Sequence, residues 1–465
     1  MKRSIVRLRS LELKNIKNVT YGKIEMPNCY KKHLLATDAE VLGVYGQNGS
    51  GKTALIDALY FLQKIMLGES IEDNLYEYIS NKSGEAEINA EFCIQNPESY
   101  FEVAYNLELK KTEEKKVVIE KEKIYSAKTL GDVRTNKVRI LEYNCDNKNI
   151  FSPKIKFEEA IANNKDNELN LIVAKKMSQK NNCSFIFGES SREVFLQDYE
   201  NSFKDCSYII KSLYKFALAD LFVIRNTHSG VISANFILPM AFRINGGEIG
   251  LKGDFAVPLD EPVVLNAERA DVLCTIINDI NIVLHTIIPG LVLDIRRYGS
   301  QLLDNGEQGE KMELLSVRGD AVIPIRMESA GIIKIISILN ALVQAFSDSS
   351  ICLVVDELDA GIFEYLLGEL LDIFNRKAKG QLLFTSHNLR ALEMLESKSI
   401  MFSTTNPNNR YIHMKNIKQT NNLRDVFLRS ITLGGQDEFI YEETDSLKME
   451  RAFRKAGRVR ENEKP

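Results

Sequence analysis

Apolar residues recur along the chain in three rhythms, and each predicts a different element. From Val6 to Met26 they alternate with polar residues and include β-branched side chains, which predicts two or three strands. Residues 88–109, with a turn near Asn96, then Val117–Tyr125 and Lys137–Tyr143, read as further strands of an antiparallel sheet. Val41–Tyr45 is a short apolar, strand-like run, and Ile351–Val355 and Gln381–Phe384 are apolar runs of the kind found in buried parallel strands. Steps of three and four predict helix over Ala54–Met66 and from Phe157 to about Val223. A further helix is predicted over Pro262–Ile288, with Asp260 as its N-cap. Leu291–Arg297, Glu313–Arg318 and Val322–Arg326 return to strand character, and the polar tail from Asn421 reads as helical. No repeat or sustained heptad is present. The fold class expected is α/β.

The longest apolar run, Ala330–Phe346, is interrupted by Lys334, Asn340 and Gln344. It falls short of the roughly 20 residues that span a bilayer, so a buried helix is expected. The basic N-terminus has no apolar stretch behind it, so no signal peptide is predicted. At 465 residues the chain should hold two or three domains. Its 60 Lys+Arg against 64 Asp+Glu give a net charge of −4, which supplies no global attraction to nucleic acid. The seven Cys are scattered without a CxxC pair, as expected of reduced thiols in a cytoplasmic protein, and the five dispersed His form no zinc motif.

Between the strand at 41–45 and the helix at 54–66 stands Gly46-Gln47-Asn48-Gly49-Ser50-Gly51-Lys52-Thr53, which fits G-x-x-x-x-G-K-[ST]. Small residues let successive N–H groups curl round a phosphate, and the helix N-terminus adds positive potential. The expected ligands are ATP or GTP and Mg²⁺, with Lys52 on the outer phosphates and the Thr53 hydroxyl on the metal. Asn48, Gly49, Ser50 and Gly51 complete the cradle.

Three further elements extend this site. Cys352–Val355 leads into Asp356 and Glu357. A buried strand ending in Asp can hold Mg²⁺ through water, and the next carboxylate can polarise an attacking water. Leu382–Ser386 leads into His387, placed to sense a γ-phosphate. Glu328-Ser329-Ala330-Gly331 opens the long apolar helix, where a hydroxyl and unpaired N–H groups make a second anion site. The first phosphate site has its own loop, so Ser329 and Gly331 are expected to serve the nucleotide of a second subunit. Asp359 would lie at that seam.

GQNGSGKT at 46–53, ESAGIIK at 328–334, LVVDELD at 353–359 and TSH at 385–387, in that order, resemble the ABC-type ATPase heads of the SMC, RecF and RecN group. The resemblance covers the first 110 residues and about 290–415. It implies a mixed sheet with a phosphate-loop core, an antiparallel N-terminal sheet and a mainly helical insert. Residues 1–150 are then the first part of the head, 151–288 the insert, 289–415 the second part and 416–465 a tail. The family's metal-binding glutamine would fall at Gln95 or, as a second candidate, Gln63. The short S-x-G signature is similar to that of bacterial OLD-like and abortive-infection ATPases, the antiphage group that includes the PARIS ATPase. That likeness implies a homo-oligomer joined through ATP, a separate Toprim-like nuclease effector and a phage trigger protein. A RecF-like DNA-binding ATPase is the alternative. The basic stretch at 448–460 could touch DNA or an acidic partner, or form a solvated helix.

Overall fold

The computed structural model describes residues 4–29, 38–97, 99–131, 133–225, 237–244, 251–258, 261–303, 305–415 and 422–462. The alternating N-terminal stretch forms a hairpin of β1 (Ile5–Ile16) and β2 (Val19–Glu25). The phosphate-loop unit follows, with β3 (Glu40–Tyr45) leading to α1 (Lys52–Met66). After a short α2 (Leu75–Tyr78) come β4 (Glu85–Gln95), β5 (Tyr100–Lys111), β6 (Val117–Leu130), β7 (Val133–Arg134) and β8 (Val138–Asn144). These make an antiparallel sheet ordered β2-β1-β4-β5-β6-β7, with β8 also on β6. Helices α3 (Lys154–Ala162), α4 (Asn167–Asn181), α5 (Glu189–Phe195) and α6 (Phe203–Lys215) share a core with it. Phe92 meets Phe216 edge-on at 5.6 Å and Tyr105 meets Phe187 at 5.4 Å, the geometry that aromatic quadrupoles favour.

The remaining elements are β9 (Leu221–Ile224), β10 (Ile237–Ile244), β11 (Leu251–Pro258), β12 (Val263–Leu265), α7 (Ala267–Ile287), β13 (Val292–Leu302), β14 (Gln308–Arg318) and β15 (Ala321–Pro324). They are followed by α8 (Ala330–Ser347), β16 (Cys352–Val355), α9 (Glu364–Lys377), β17 (Gln381–Ser386), α10 (Arg390–Met394), β18 (Ile400–Ser403), β19 (Tyr411–Ile412), α11 (Leu423–Leu433) and α12 (Ser446–Asn462). The second large sheet runs β19-β18-β3-β17-β16-β9, parallel except for β19. Strands β3, β16, β17 and β18 are buried along their whole length, which is why Val41–Tyr45, Cys352–Val355 and Leu382–Phe384 read as short apolar runs. Leu42, Val44 and Val354 join the core containing α1, while Val41, Leu353 and Val355 join that of α8 and α9. The fold is therefore the α/β arrangement expected, a phosphate-loop sheet beside an antiparallel one.

A buried polar joint fixes the two sheets together. The Gln381 amide accepts from the Leu8 N–H (2.9 Å) and donates to the Leu8 carbonyl (2.7 Å) and to Glu40 (2.8 Å). Arg7 donates to the Asp38 carbonyl (2.8 Å) and pairs with Glu40 (3.4 Å). The joint lies where β3 and β17 begin, so the far end of β1 reaches the edge where those strands end.

Two expectations about elements need correction. Leu221–Ile224, read within a helical pattern, is an edge strand of the central sheet, entered through a π-helical turn at Phe216–Asp220. A short, wholly apolar run does not declare its own period, and the exposed edge of β16 offered it a ladder. The helix predicted over 262–288 begins later, because Val263–Leu265 pairs with β14. Asn266 caps α7 by accepting the Arg269 N–H (3.0 Å), while the proposed caps Asp260 and tail start Asn421 lie outside the described residues. The segment 151–288 thus carries strands as well as helices. By length and composition alone, α7 and α8 could cross a membrane. Within the fold, both contribute apolar side chains to one core, and 61% of the apolar window of α8 is buried.

Candidate active site

The carboxyl ends of three parallel strands meet at one sheet edge. Tyr45 is level with Ser386, and Val355 with Phe384, so the phosphate loop, the Asp356–Glu357 turn and His387 emerge together. Asn48, Gly49, Gly51, Lys52 and Thr53 line one side of an open cleft of about 270 Å³, facing Asp356, Glu357 and His387. Gly46, Gly49 and Gly51 have φ of 154°, 78° and 92°, conformations that side chains resist. A Cβ at Gly46 would lie 2.0 Å from the Ser403 hydroxyl. Ser50 turns inward and donates to the Gln47 carbonyl (2.6 Å), so it shapes the loop from behind.

Lys52 bends over its own loop, donating to the carbonyls of Gly46 (2.8 Å) and Gln47 (3.0 Å). Burial pulls its pKa down to about 8, against the opposing influence of Asp356, Glu357 and Asp359. Asp356 is buried, and its Oδ1 accepts from the Thr385 hydroxyl (2.6 Å). Its Oδ2 is also buried but has no hydrogen-bond partner. An orphaned carboxylate oxygen is costly unless a cation or water meets it. With the Thr53 hydroxyl across the cleft, this donor set is all hard oxygen and fits Mg²⁺.

Glu357 sits at φ 48°, in the left-handed region, with its N–H donating to Thr385 Oγ1 (2.7 Å) and its carbonyl accepting from Lys334 Nζ. The His387 N–H donates to Asp359 Oδ2 (3.1 Å). Burial, then the nearby Lys52, lowers the imidazole pKa, which favours the neutral ring, able to donate one hydrogen bond and accept another.

Ser329 and Gly331 do not line this cleft. Ser329 is exposed and caps α8, its hydroxyl accepting from the Ile332 N–H (3.4 Å). Gly331 lies on the turn after Glu357, where a Cβ would come within 2.0 Å of the Gly361 carbonyl oxygen. Gln95 needs correction as a metal ligand. It ends β4 opposite Ile5, at the far end of the ladder that pairs Lys14 with Glu87. At about 3.3 Å per residue, that separation is roughly 30 Å. Gln63 is structural, for its amide donates to the carbonyls of Ala217 (2.9 Å) and Leu221 (2.6 Å) beneath the π turn.

Several residues at the site had no motif to announce them. Lys17 and Asn18, in the β1–β2 turn, line the cleft. Asn18 donates to the Gly49 carbonyl, and Lys17 pairs with Asp57 (2.5 Å) and lies 4.4 Å from the Tyr78 ring centroid. Arg225 also faces Asp57 (3.5 Å) and stacks 3.8 Å from the Tyr60 ring centroid. It follows β9 as Asp356 follows β16, and the Asp356 N–H donates to the Ile224 carbonyl (2.9 Å). A cation interrupting an otherwise apolar or alternating run was the one available signal for Lys17 and Arg225. Lys334 and Thr385 fall inside quoted motifs, but only the fold shows what they touch.

No protein-family model matches the sequence, and no curated protein matches it. Among solved structures, the chain is similar to an Smc head domain with a coiled coil and joint from Pyrococcus yayanosii, at 12% identity over 92% of this chain and 100% of that one, with a TM-score of 0.42. It is similar to the SMC head domain from Thermotoga maritima at 12% identity, over 88% of this chain and 100% of that one, with a TM-score of 0.36. It is also similar to the recombination mediator protein RecF in its RecF-ATP structure, at 10% identity over 82% and 92% of the two chains, with a TM-score of 0.33. These likenesses are distant and assign no residue a role.

Proposed function

We propose that this chain binds and hydrolyses Mg²⁺–ATP, and that two copies close head to tail around the nucleotide. The observation that carries the reading is the partnerless Oδ2 of buried Asp356, which shares a cleft with Thr53, Lys52 and Glu357. Bound Mg²⁺ would supply charge neutralisation between the phosphates. Lys52 leaves its loop carbonyls for the outer phosphate oxygens, and the loop N–H groups cradle the rest. Glu357 accepts a proton from the water that attacks the γ-phosphorus as the bond to the ADP oxygen breaks. His387 donates a hydrogen bond to the γ-phosphate as charge develops there. Exposed Ser329 and half-buried Gly331, which packs on the turn that follows Glu357, serve the partner's nucleotide, with Asp359 at the seam.

The ATPase is further proposed to act in an antiphage complex, holding a separate Toprim-like nuclease and releasing it when a phage trigger protein arrives. The short S-x-G signature and the medium-length segment before it support this reading. ATP binding and hydrolysis by the wild type, Lys52→Ala and Glu357→Gln test the catalytic assignment. Lys52→Ala should lose ATP binding. Glu357→Gln should bind ATP yet hydrolyse it about 100-fold or more slowly, the range expected for losing a general base. Equal hydrolysis by wild type and Glu357→Gln contradicts the assignment.

A further inference from the structure

We propose that Thr385 is the positioning residue of the catalytic turn, holding Asp356 for the metal and Glu357 for the attacking water through a single hydroxyl. The proposal rests on the Mg²⁺–ATP reading above and adds a residue that no motif role covers. Thr385 lies in β17, one strand away from the carboxylates, and is completely buried. Its Oγ1 donates to Asp356 Oδ1 (2.6 Å) and accepts from the Glu357 N–H (2.7 Å). Its carbonyl accepts from the Leu358 N–H (3.0 Å). The next contact along is His387 N–H to Asp359 Oδ2 (3.1 Å). Three consecutive residues of the turn are therefore tied to Thr385, and the fourth to His387 just past the end of β17.

The regular β16–β17 ladder ends at Val355 and Phe384. Beyond it Glu357 takes φ 48°, which breaks strand geometry and is disfavoured for a residue with a Cβ. The Thr385 hydroxyl replaces the missing rung. It also divides the labour of Asp356, since Oδ1 is anchored by the hydroxyl and Oδ2 is left partnerless for a cation. Only a side chain that both donates and accepts can do this, and of the residues matching this volume Val can do neither.

The test compares full-length wild type, Thr385→Val and Thr385→Ser. ATP affinity is measured with Mg²⁺ and with the metal chelated, alongside kcat, KM and the Mg²⁺ concentration giving half-maximal hydrolysis. Thr385→Val should keep the metal-free ATP affinity within about twofold, because Lys52 and the loop are untouched. It should lose the gain that Mg²⁺ brings, and its Mg²⁺ requirement should rise and kcat fall by about 10–100-fold, the usual cost of removing a residue that orients a metal ligand. Thr385→Ser should restore both to within about threefold, since it returns the hydroxyl.

A Thr385→Val variant with wild-type Mg²⁺ dependence and kcat overturns the proposal. So does a parallel loss of metal-free binding, which would mark a merely structural role. If Thr385→Val does not fold, Thr385→Cys, whose thiol is a weak hydrogen-bonding group, must show the same split. Failure of the wild type itself to bind ATP would instead defeat the underlying reading.

Discussion

Lys52 carries the sharpest prediction at the scale of single residues. Without nucleotide it is spent on two carbonyls of its own loop, and burial brings its pKa to about 8 from the ordinary 10.5. Below pH 8 the ammonium is present and ready for phosphate. Above pH 8 the unliganded protein releases that proton, and a triphosphate must recover one on binding. ATP affinity should therefore fall as pH rises from 8 towards 10, approaching tenfold per unit. For the unliganded fold the sign reverses. In that window the unfolded chain keeps a proton that the folded one has lost, so stability from this group rises with pH. Calorimetric titration of ATP from pH 7 to 9.5 checks the first statement, and a flat affinity would show that Lys52 does not meet the phosphates. The residues behind this prediction were legible in sequence, because a phosphate loop writes all its parts within eight positions. Thr385, Lys334 and Arg225 were not, because their partners stand far away in sequence and meet only once parallel strands align and α8 packs on the turn after β16.

At the scale of elements, the turn after β16 and the first turn of α8 form one packed unit. Gly331 touches Gly361 backbone to backbone, and Lys334, one turn further on, reaches the Glu357 carbonyl. Burial lowers the Lys334 pKa, although Asp359, Glu357 and Asp356 favour its charged form. Gly331→Ala would put a methyl 2.0 Å from the Gly361 oxygen, so α8 must shift away from the turn. The expected outcome is a stability loss of about 1–3 kcal/mol in denaturant unfolding, as for other overpacked sites. Hydrolysis should fall while ATP binding at Lys52 persists. Unchanged stability and turnover would show that this close approach is not tight in solution. The element scale is also where sequence reasoning failed. Leu221–Ile224 was hidden in a helical pattern, and with it the position of Arg225 beside Asp356. Gln95 ended a strand as a glutamine loop should, but its ladder runs to the wrong edge of the molecule.

Across the whole molecule, two sheets are locked at one end by Arg7, Glu40 and Gln381 and open at the other into the cleft. The two kinds of sheet were readable from strand types, alternating in the first and apolar in β3, β16 and β17 of the second, whereas β9 was read as helix and β18 and β19 were not read. Within one copy the exposed Ser329 only caps α8 and does not line the phosphate-loop cleft, so the proposed nucleotide role needs something outside that copy. The proposed answer is a second copy, turned so that each signature closes the other's site. Sedimentation of Glu357→Gln, which should hold ATP without spending it, tests this most directly. With Mg²⁺–ATP the account predicts twice the monomer mass and one ATP per chain, and a return to monomer when Ser329 is replaced by Arg. A variant that binds ATP fully yet stays monomeric at every concentration would contradict it.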